Sequence, residues 1–127
     1  MNQDQILQLL KELGNALSAG DLRSASSCWD IPALVLSDDG AMVVSSRDEV
    51  QAIFAAATKW YHEQGLTSTK PEIERMDLLS ETLAAVDVRW PAFDASGNEK
   101  SSEWSHYIIH APKEGTPHIR VALTRTK

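Results

Sequence analysis

The chain has 127 residues, 43% of them hydrophobic and 24% charged, which fits one ordinary globular domain spanning residues 1–127. Its formal net charge is −6 and its Lys and Arg residues do not cluster, which excludes the basic footprint that nucleic-acid binding requires. A single cysteine excludes an intrachain disulfide, and no signal-like or membrane-spanning apolar stretch is present, so we expect a cytoplasmic protein with no membrane contact.

Two helices are predicted at the start of the chain. Apolar residues at helical spacing predict an amphipathic helix over about residues 3–18, and Gly20 suits the left-handed position after its end. Asp21 is placed to cap a second, short helix whose apolar stripe ends at Trp29. Pro32 ends this segment, because the residue before a proline is biased toward extended geometry.

A hairpin and a third helix follow. Short strands over 33–37 and 41–45 flank the turn at 38–40, whose Asp-Gly dipeptide is a strong hairpin signal. Ser46 and Glu49 match a capping box, which predicts the start of a helix. The predicted apolar face of that helix comprises Val50, Ile53, Phe54, Ala57 and Trp60.

The second half of the chain has strand periodicity. Short turns connect the predicted strands, which cover 68–79, 82–93, 100–111 and 118–126. Helices followed by strands indicate an α+β fold with a mostly antiparallel meander. In the strand over 100–111, Trp104 and His106 share one face while Ser105 and Tyr107 share the other. The sequence leaves open which of these two faces lies toward the helices.

These elements, in this order, resemble a known superfamily. The run Ala19-Gly20-Asp21-Leu22, the aromatic Trp29, the tight hairpin, the capped third helix and the segment Glu103-Trp104-x-x-Tyr107 are similar to nuclear-transport-factor-2-like domains, and within them to the SnoaL-like group of polyketide cyclases and ketosteroid isomerase. The resemblance implies three helices on a strongly curved sheet that forms a cone with a central pocket. It also implies a homodimer that pairs through the outer face of the sheet.

Three residues are candidates for catalysis. His106 is the best placed by chemistry, because imidazole titrates near neutrality, and Asp30 is a candidate carboxylate partner. The resemblance implies a carboxylate base just after the second helix, and Asp38 matches that position with a shift of one residue. Asp87 and Arg89 point away from the aliphatic face of their strand, which favours a solvated ion pair over a pair that activates water.

The aromatic residues predict the kind of ligand. Four tryptophans come from four different elements around the cone, and two tyrosines add hydroxyl groups at its rim; the predicted lining is Trp29, Trp60, Trp90, Trp104, Tyr61 and Tyr107. This composition suits a small apolar or aromatic molecule. We expect no cofactor, since no glycine-rich phosphate loop is present. We also expect no metal, because His106 and His110 are about 13 Å apart along a strand, too far to share an ion.

Three functions remain open at this point. The first is a binding module for a small apolar or aromatic ligand. The second is a lyase or isomerase that moves a proton beside a carbonyl, which requires His106 or Asp38 inside the cone. The third is a dimeric assembly domain with a vestigial pocket, which requires the four tryptophans to be packed without a cavity.

Overall fold

The computed structural model describes residues 1–125, which form three helices packed on one curved sheet. The helices are α1 (Gln3–Ala19), α2 (Leu22–Ser27) and α3 (Arg47–Glu63). The strands are β1 (Trp29–Ser37), β2 (Gly40–Val44), β3 (Leu66–Thr69), β4 (Glu72–Leu78), β5 (Leu83–Asp94), β6 (Glu99–His110) and β7 (His118–Arg125). The predicted α+β fold class is confirmed; residue 126, the predicted end of the last strand, lies outside the described residues.

The sheet has the strand order β2-β1-β7-β6-β5-β3. β4 also pairs with β5: β3 lies opposite residues 92–94 of β5, and β4 lies opposite residues 84–89. All neighbouring pairs are antiparallel except β1 and β7, which run parallel with Leu34 opposite Val121. This parallel contact was not predicted. Its paired residues, such as Leu34 and Val121, are far apart in the sequence, and no local pattern indicates such a pairing. It joins the N-terminal hairpin to the long C-terminal strands.

Capping residues fix the ends of the helices. The Asn2 side chain accepts from the Gln5 backbone N–H at 2.9 Å while the Gln5 side chain accepts from the Asn2 N–H at 3.0 Å, which begins α1. Gly20, with φ 71°, ends it. Ser46 accepts from the Glu49 N–H at 3.2 Å and begins α3, as predicted.

Two strand boundaries differ from the prediction. β1 begins at Trp29 and contains Pro32, which falls where the register with β7 shifts and a missing backbone N–H is tolerated. The predicted strand over 68–79 is two strands, β3 and β4, separated at Lys70 and Pro71. Proline interrupts the hydrogen-bonded ladder because it has no N–H to donate.

The core lies between α1 and the concave face of the sheet. Its largest fully buried side chains include Ile6, Leu10, Leu13, Val86, Ile109 and Ile119. The convex face carries half-exposed apolar side chains on β1, β6 and β7, among them Leu36, Ile108 and Leu123. Pairing of two copies through this face stays a prediction. None of the helices in residues 1–125 has the length and apolarity needed to cross a bilayer.

Candidate functional site

A cavity of about 230 Å³ lies between α1, α3 and the concave face of the sheet. Its apolar walls include Leu13, Leu17, Trp29, Ile53, Phe54 and Trp90. The Trp29 and Phe54 rings meet edge to face, with centroids 5.9 Å apart and planes at 63°. Two of the four tryptophans predicted to line the pocket, those from β1 and β5, therefore lie in its wall.

Gly14 allows α1 to approach this wall closely. A Cβ atom built on Gly14 would lie 3.2 Å from Cζ3 of Trp90 and 3.4 Å from Cδ of Pro71. Glycine costs a helix interior about 1 kcal/mol relative to alanine, and here it makes room for the indole ring beneath the helix. The position of the Trp90 ring therefore depends on an unfavourable helix residue.

A buried hydrogen bond joins β5 and β6 in the wall of the cavity. The Trp90 indole N–H donates to the Tyr107 hydroxyl at 3.0 Å, with both side chains buried. Burial raises the pKa of Tyr107, although hydrogen bonds with Ser105 and Trp90 act in the opposite direction. The phenol therefore stays protonated and orients the indole ring.

A second polar pair lies at the edge of the cavity. Tyr61, from α3, is hydrogen-bonded to the carboxylate of Glu103, from β6, and both residues line the cavity. Burial raises the pKa of Tyr61, and the bond to Glu103 raises it further because the anionic carboxylate favours the neutral phenol. Tyr61 therefore remains a hydroxyl donor at all physiological pH values.

Replacing Tyr107 with phenylalanine should lower the free energy of unfolding by about 1–3 kcal/mol. The change removes the acceptor of the Trp90 N–H and leaves that buried donor without its partner. Urea unfolding followed by circular dichroism measures the effect. Tyr61→Phe is the comparison. It removes the hydroxyl partner of the Glu103 carboxylate, but Glu103 is exposed, so its carboxylate can bind water instead and the loss of stability should be smaller. Equal losses in the two variants would contradict the importance of the buried bond.

The structure places the other two tryptophans away from the cavity. Trp60 is 53% exposed and its ring meets the edge of Tyr61 with centroids 5.3 Å apart. Val50 marks the buried side of α3. Because a helix turns about 100° per residue, the Tyr61 side chain points within about 20° of the Val50 direction, whereas the Trp60 side chain points about 80° away from it. Trp104 lies on the convex face of the sheet, since it alternates with the cavity-lining Glu103 and Ser105.

The catalytic candidates also lie outside the cavity. His106 is on the convex face, where its Nδ1 is 2.8 Å from Oδ1 of Asp87 rather than beside Asp30. Asp30 has Oδ2 at 3.3 Å from Nη2 of Arg120 and 3.4 Å from Nδ1 of His110. Asp38 is exposed in the β1–β2 turn. The inner face, which the sequence left open, is therefore the one of Tyr107, and its neighbour His106 points away from the cavity.

The other polar candidates form no catalytic cluster. Arg89 binds Glu72 at 2.8 Å and Glu99 at 3.1 Å, whereas the predicted partner Asp87 contacts His106. Within the described part of the chain, no three His, Cys, Asp or Glu side chains come close enough to hold a metal ion. Burial raises the pKa of the Cys28 thiol to about 11, so the thiol stays protonated and is a poor nucleophile.

Sequence reasoning missed Glu103. The residue lies two positions before Ser105 and four before Tyr107 on the same strand, so all three share a face. The direct pairing of Tyr107 with Val86 and of Ser105 with Val88 also indicates that this face is the inner one. The alternation was visible in the sequence, but the register that identifies the inner face was not.

Comparisons with known proteins agree with this architecture. A family model described as "NTF2-like protein (DUF6841)" matches residues 3–127. A domain of unknown function with a cystatin-like fold from Nostoc punctiforme PCC 73102 superposes with TM-score 0.75 at 16% identity, over 100% of this chain and 80% of that one. An NTF-2 like protein of unknown function from Shewanella oneidensis MR-1 gives TM-score 0.72 at 22% identity, over 98% of both chains.

A third similar structure is named for an enzyme. It is a ketosteroid isomerase-like protein from Erwinia carotovora atroseptica SCRI1043, with TM-score 0.68 and 12% identity over 98% of this chain and 96% of that one. A search of the curated proteins finds no match. Because all three identities are below 25%, these structures show the shared fold alone.

Proposed function

This chain belongs to the NTF2-like family (DUF6841), and on that premise we propose that its cavity binds a small, mainly apolar molecule with an aromatic ring. The observation that carries the proposal is the composition of the cavity wall. Aliphatic and aromatic side chains form most of it. Hydroxyl groups come from α1, α3, β3, β6 and β7, and the carboxylate among the described lining residues is that of Glu103 on β6. Such a wall favours an apolar ligand that makes a few oriented polar contacts.

The volume supports a ligand of modest size. Sites for drug-sized molecules usually have about 300–1,000 Å³, and this cavity has about 230 Å³. We therefore expect one-ring or two-ring compounds to bind more tightly than four-ring steroids. The cone-shaped enclosure by α1, α3 and the sheet supplies apolar contact on several sides of such a molecule.

The other two functions have weaker support. Proton transfer beside a carbonyl was predicted to use His106 or Asp38, and neither residue lines the cavity. The assembly domain required all four tryptophans to fill the interior, whereas Trp60 is 53% exposed. A binding module requires neither feature, so we place it first.

Intrinsic fluorescence tests the proposal. The double variant Trp60→Phe/Trp104→Phe keeps only the tryptophans in the cavity wall, Trp29 and Trp90. We expect 2-phenylethanol or 1-tetralone to change its emission saturably, with the same apparent Kd as in the unmodified protein. A saturable response of the unmodified protein that disappears in the double variant would place the ligand on the outer surface. No response to any of these compounds, or to a steroid ketone, would contradict the proposal.

A further inference from the structure

The charges around the cavity restrict the ligand further. Among the lining residues whose side chains the structure describes, Glu103 is the single carboxylate, and none is a lysine or an arginine. The remaining titratable residues in the wall are Tyr61, Tyr107 and His62. The pKa of each tyrosine is raised, so both phenols are neutral. The fixed charge that faces a bound molecule is therefore negative.

The rings in the wall act in the same direction as this carboxylate. Five aromatic side chains surround the space: Trp29, Phe54, Tyr61, Trp90 and Tyr107. The face of an aromatic ring carries negative electrostatic potential and attracts a cation within about 6 Å of its centre. Recognition of ammonium groups by aromatic walls with a nearby carboxylate follows from these two attractions together.

The Glu103 carboxylate has unused capacity for hydrogen bonds. The Tyr61 hydroxyl donates to it, and within residues 1–124 no lysine or arginine side chain is paired with it. An ionised carboxylate accepts up to about four hydrogen bonds, and an ammonium group supplies three donors. Tyr61 therefore orients the carboxylate and leaves room for a donor from the ligand.

We propose that the cavity selects amines: an aromatic ring is held among the tryptophans while an ammonium group contacts Glu103. This inference rests on the proposed function and makes it more specific. It disfavours the aromatic acids, since a ligand carboxylate would face Glu103 without any lysine or arginine in the described part of the wall to compensate the repulsion.

Three probes of nearly equal shape test the inference: 2-phenylethylamine, 2-phenylethanol and phenylacetate. Isothermal titration at pH 7.5 and low salt gives the Kd of each. We expect the amine to bind about tenfold more tightly than the alcohol, and phenylacetate to bind more weakly than either. Glu103→Gln should remove the preference for the amine, so that the amine and the alcohol bind with similar Kd values.

Glu81→Gln is the matched control. Glu81 is exposed in the β4–β5 turn, so this variant changes the net charge of −6 by the same amount as Glu103→Gln does, but outside the cavity. The preference for the amine should persist in it. Equal loss in both variants, or an amine preference that survives Glu103→Gln, would overturn the inference.

Two results separate this inference from the proposed function. If the alcohol binds and the amine binds no more tightly, the inference that the cavity selects amines is wrong, whereas the proposal that the cavity is a binding site still holds. If none of the three probes binds, and the larger ketones used for fluorescence also fail, the proposed function itself is contradicted.

Discussion

Leu10→Ala should lower the free energy of unfolding by about 3–5 kcal/mol, the largest loss of stability that we expect from one substitution of an aliphatic side chain. Leu10 is 0% exposed and lies in the core that α1 forms with the sheet. The substitution removes apolar contacts and leaves a cavity that the surrounding side chains fill only in part. A domain of this size has about 5–15 kcal/mol of stability, so the variant should be much closer to unfolding.

Urea unfolding of Leu10→Ala and Leu79→Ala, followed by circular dichroism, makes the comparison. Leu79 is 56% exposed after β4, so the same change of side chain there should alter stability by no more than about 0.5 kcal/mol. Similar losses at the two positions would mean that the packing of α1 on the sheet is not as described.

Ala57→Leu should weaken the binding of 2-phenylethanol by tenfold or more, which is the largest effect on binding that we expect. Ala57 lines the cavity from α3, and leucine adds three carbon atoms to a space of about 230 Å³. Leucine is a good helix former, so α3 should remain intact, and filling part of an apolar cavity should keep or raise the stability of the fold. Fluorescence titration and urea unfolding give the two quantities.

Ala56→Leu is the control for this substitution. Ala56 is the preceding residue on α3 and is exposed, so the added atoms extend into solvent. Its Kd for 2-phenylethanol should match that of the unmodified protein. If Ala57→Leu binds as tightly as Ala56→Leu does, the probe occupies another place.

Local signals predicted most of the elements. Gly20, the cap at Ser46 and the Asp-Gly turn at residues 39–40 gave the ends of helices and the first hairpin, because each acts through neighbouring backbone atoms. The start of β1 was predicted too late, since Trp29 is a strand residue only through its long-range pairing with Ile119. Such pairings have no local signature, and helix periodicity extended the preceding element instead.

The site was predicted less well than the fold, because the two faces of β6 have similar compositions. Alternation on β6 showed which side chains share a face, but both faces carry aromatic and aliphatic residues. Because that face was left open, the predicted lining included both Trp104 and Tyr107, which lie on opposite faces, and of these two Tyr107 faces the cavity. On α3 a difference of one position separated the exposed Trp60 from Tyr61 in the wall.

The central claim is that the cavity between the helices and the sheet binds a small aromatic molecule. The indole N–H signals of the four tryptophans in a ¹H–¹⁵N spectrum test it most directly, during titration with 2-phenylethanol. The signals of Trp29 and Trp90, in the cavity wall, should shift saturably, while those of Trp60 and Trp104 stay in place. Saturable shifts confined to Trp60 or Trp104 would contradict the claim, because they would place the molecule outside the cone.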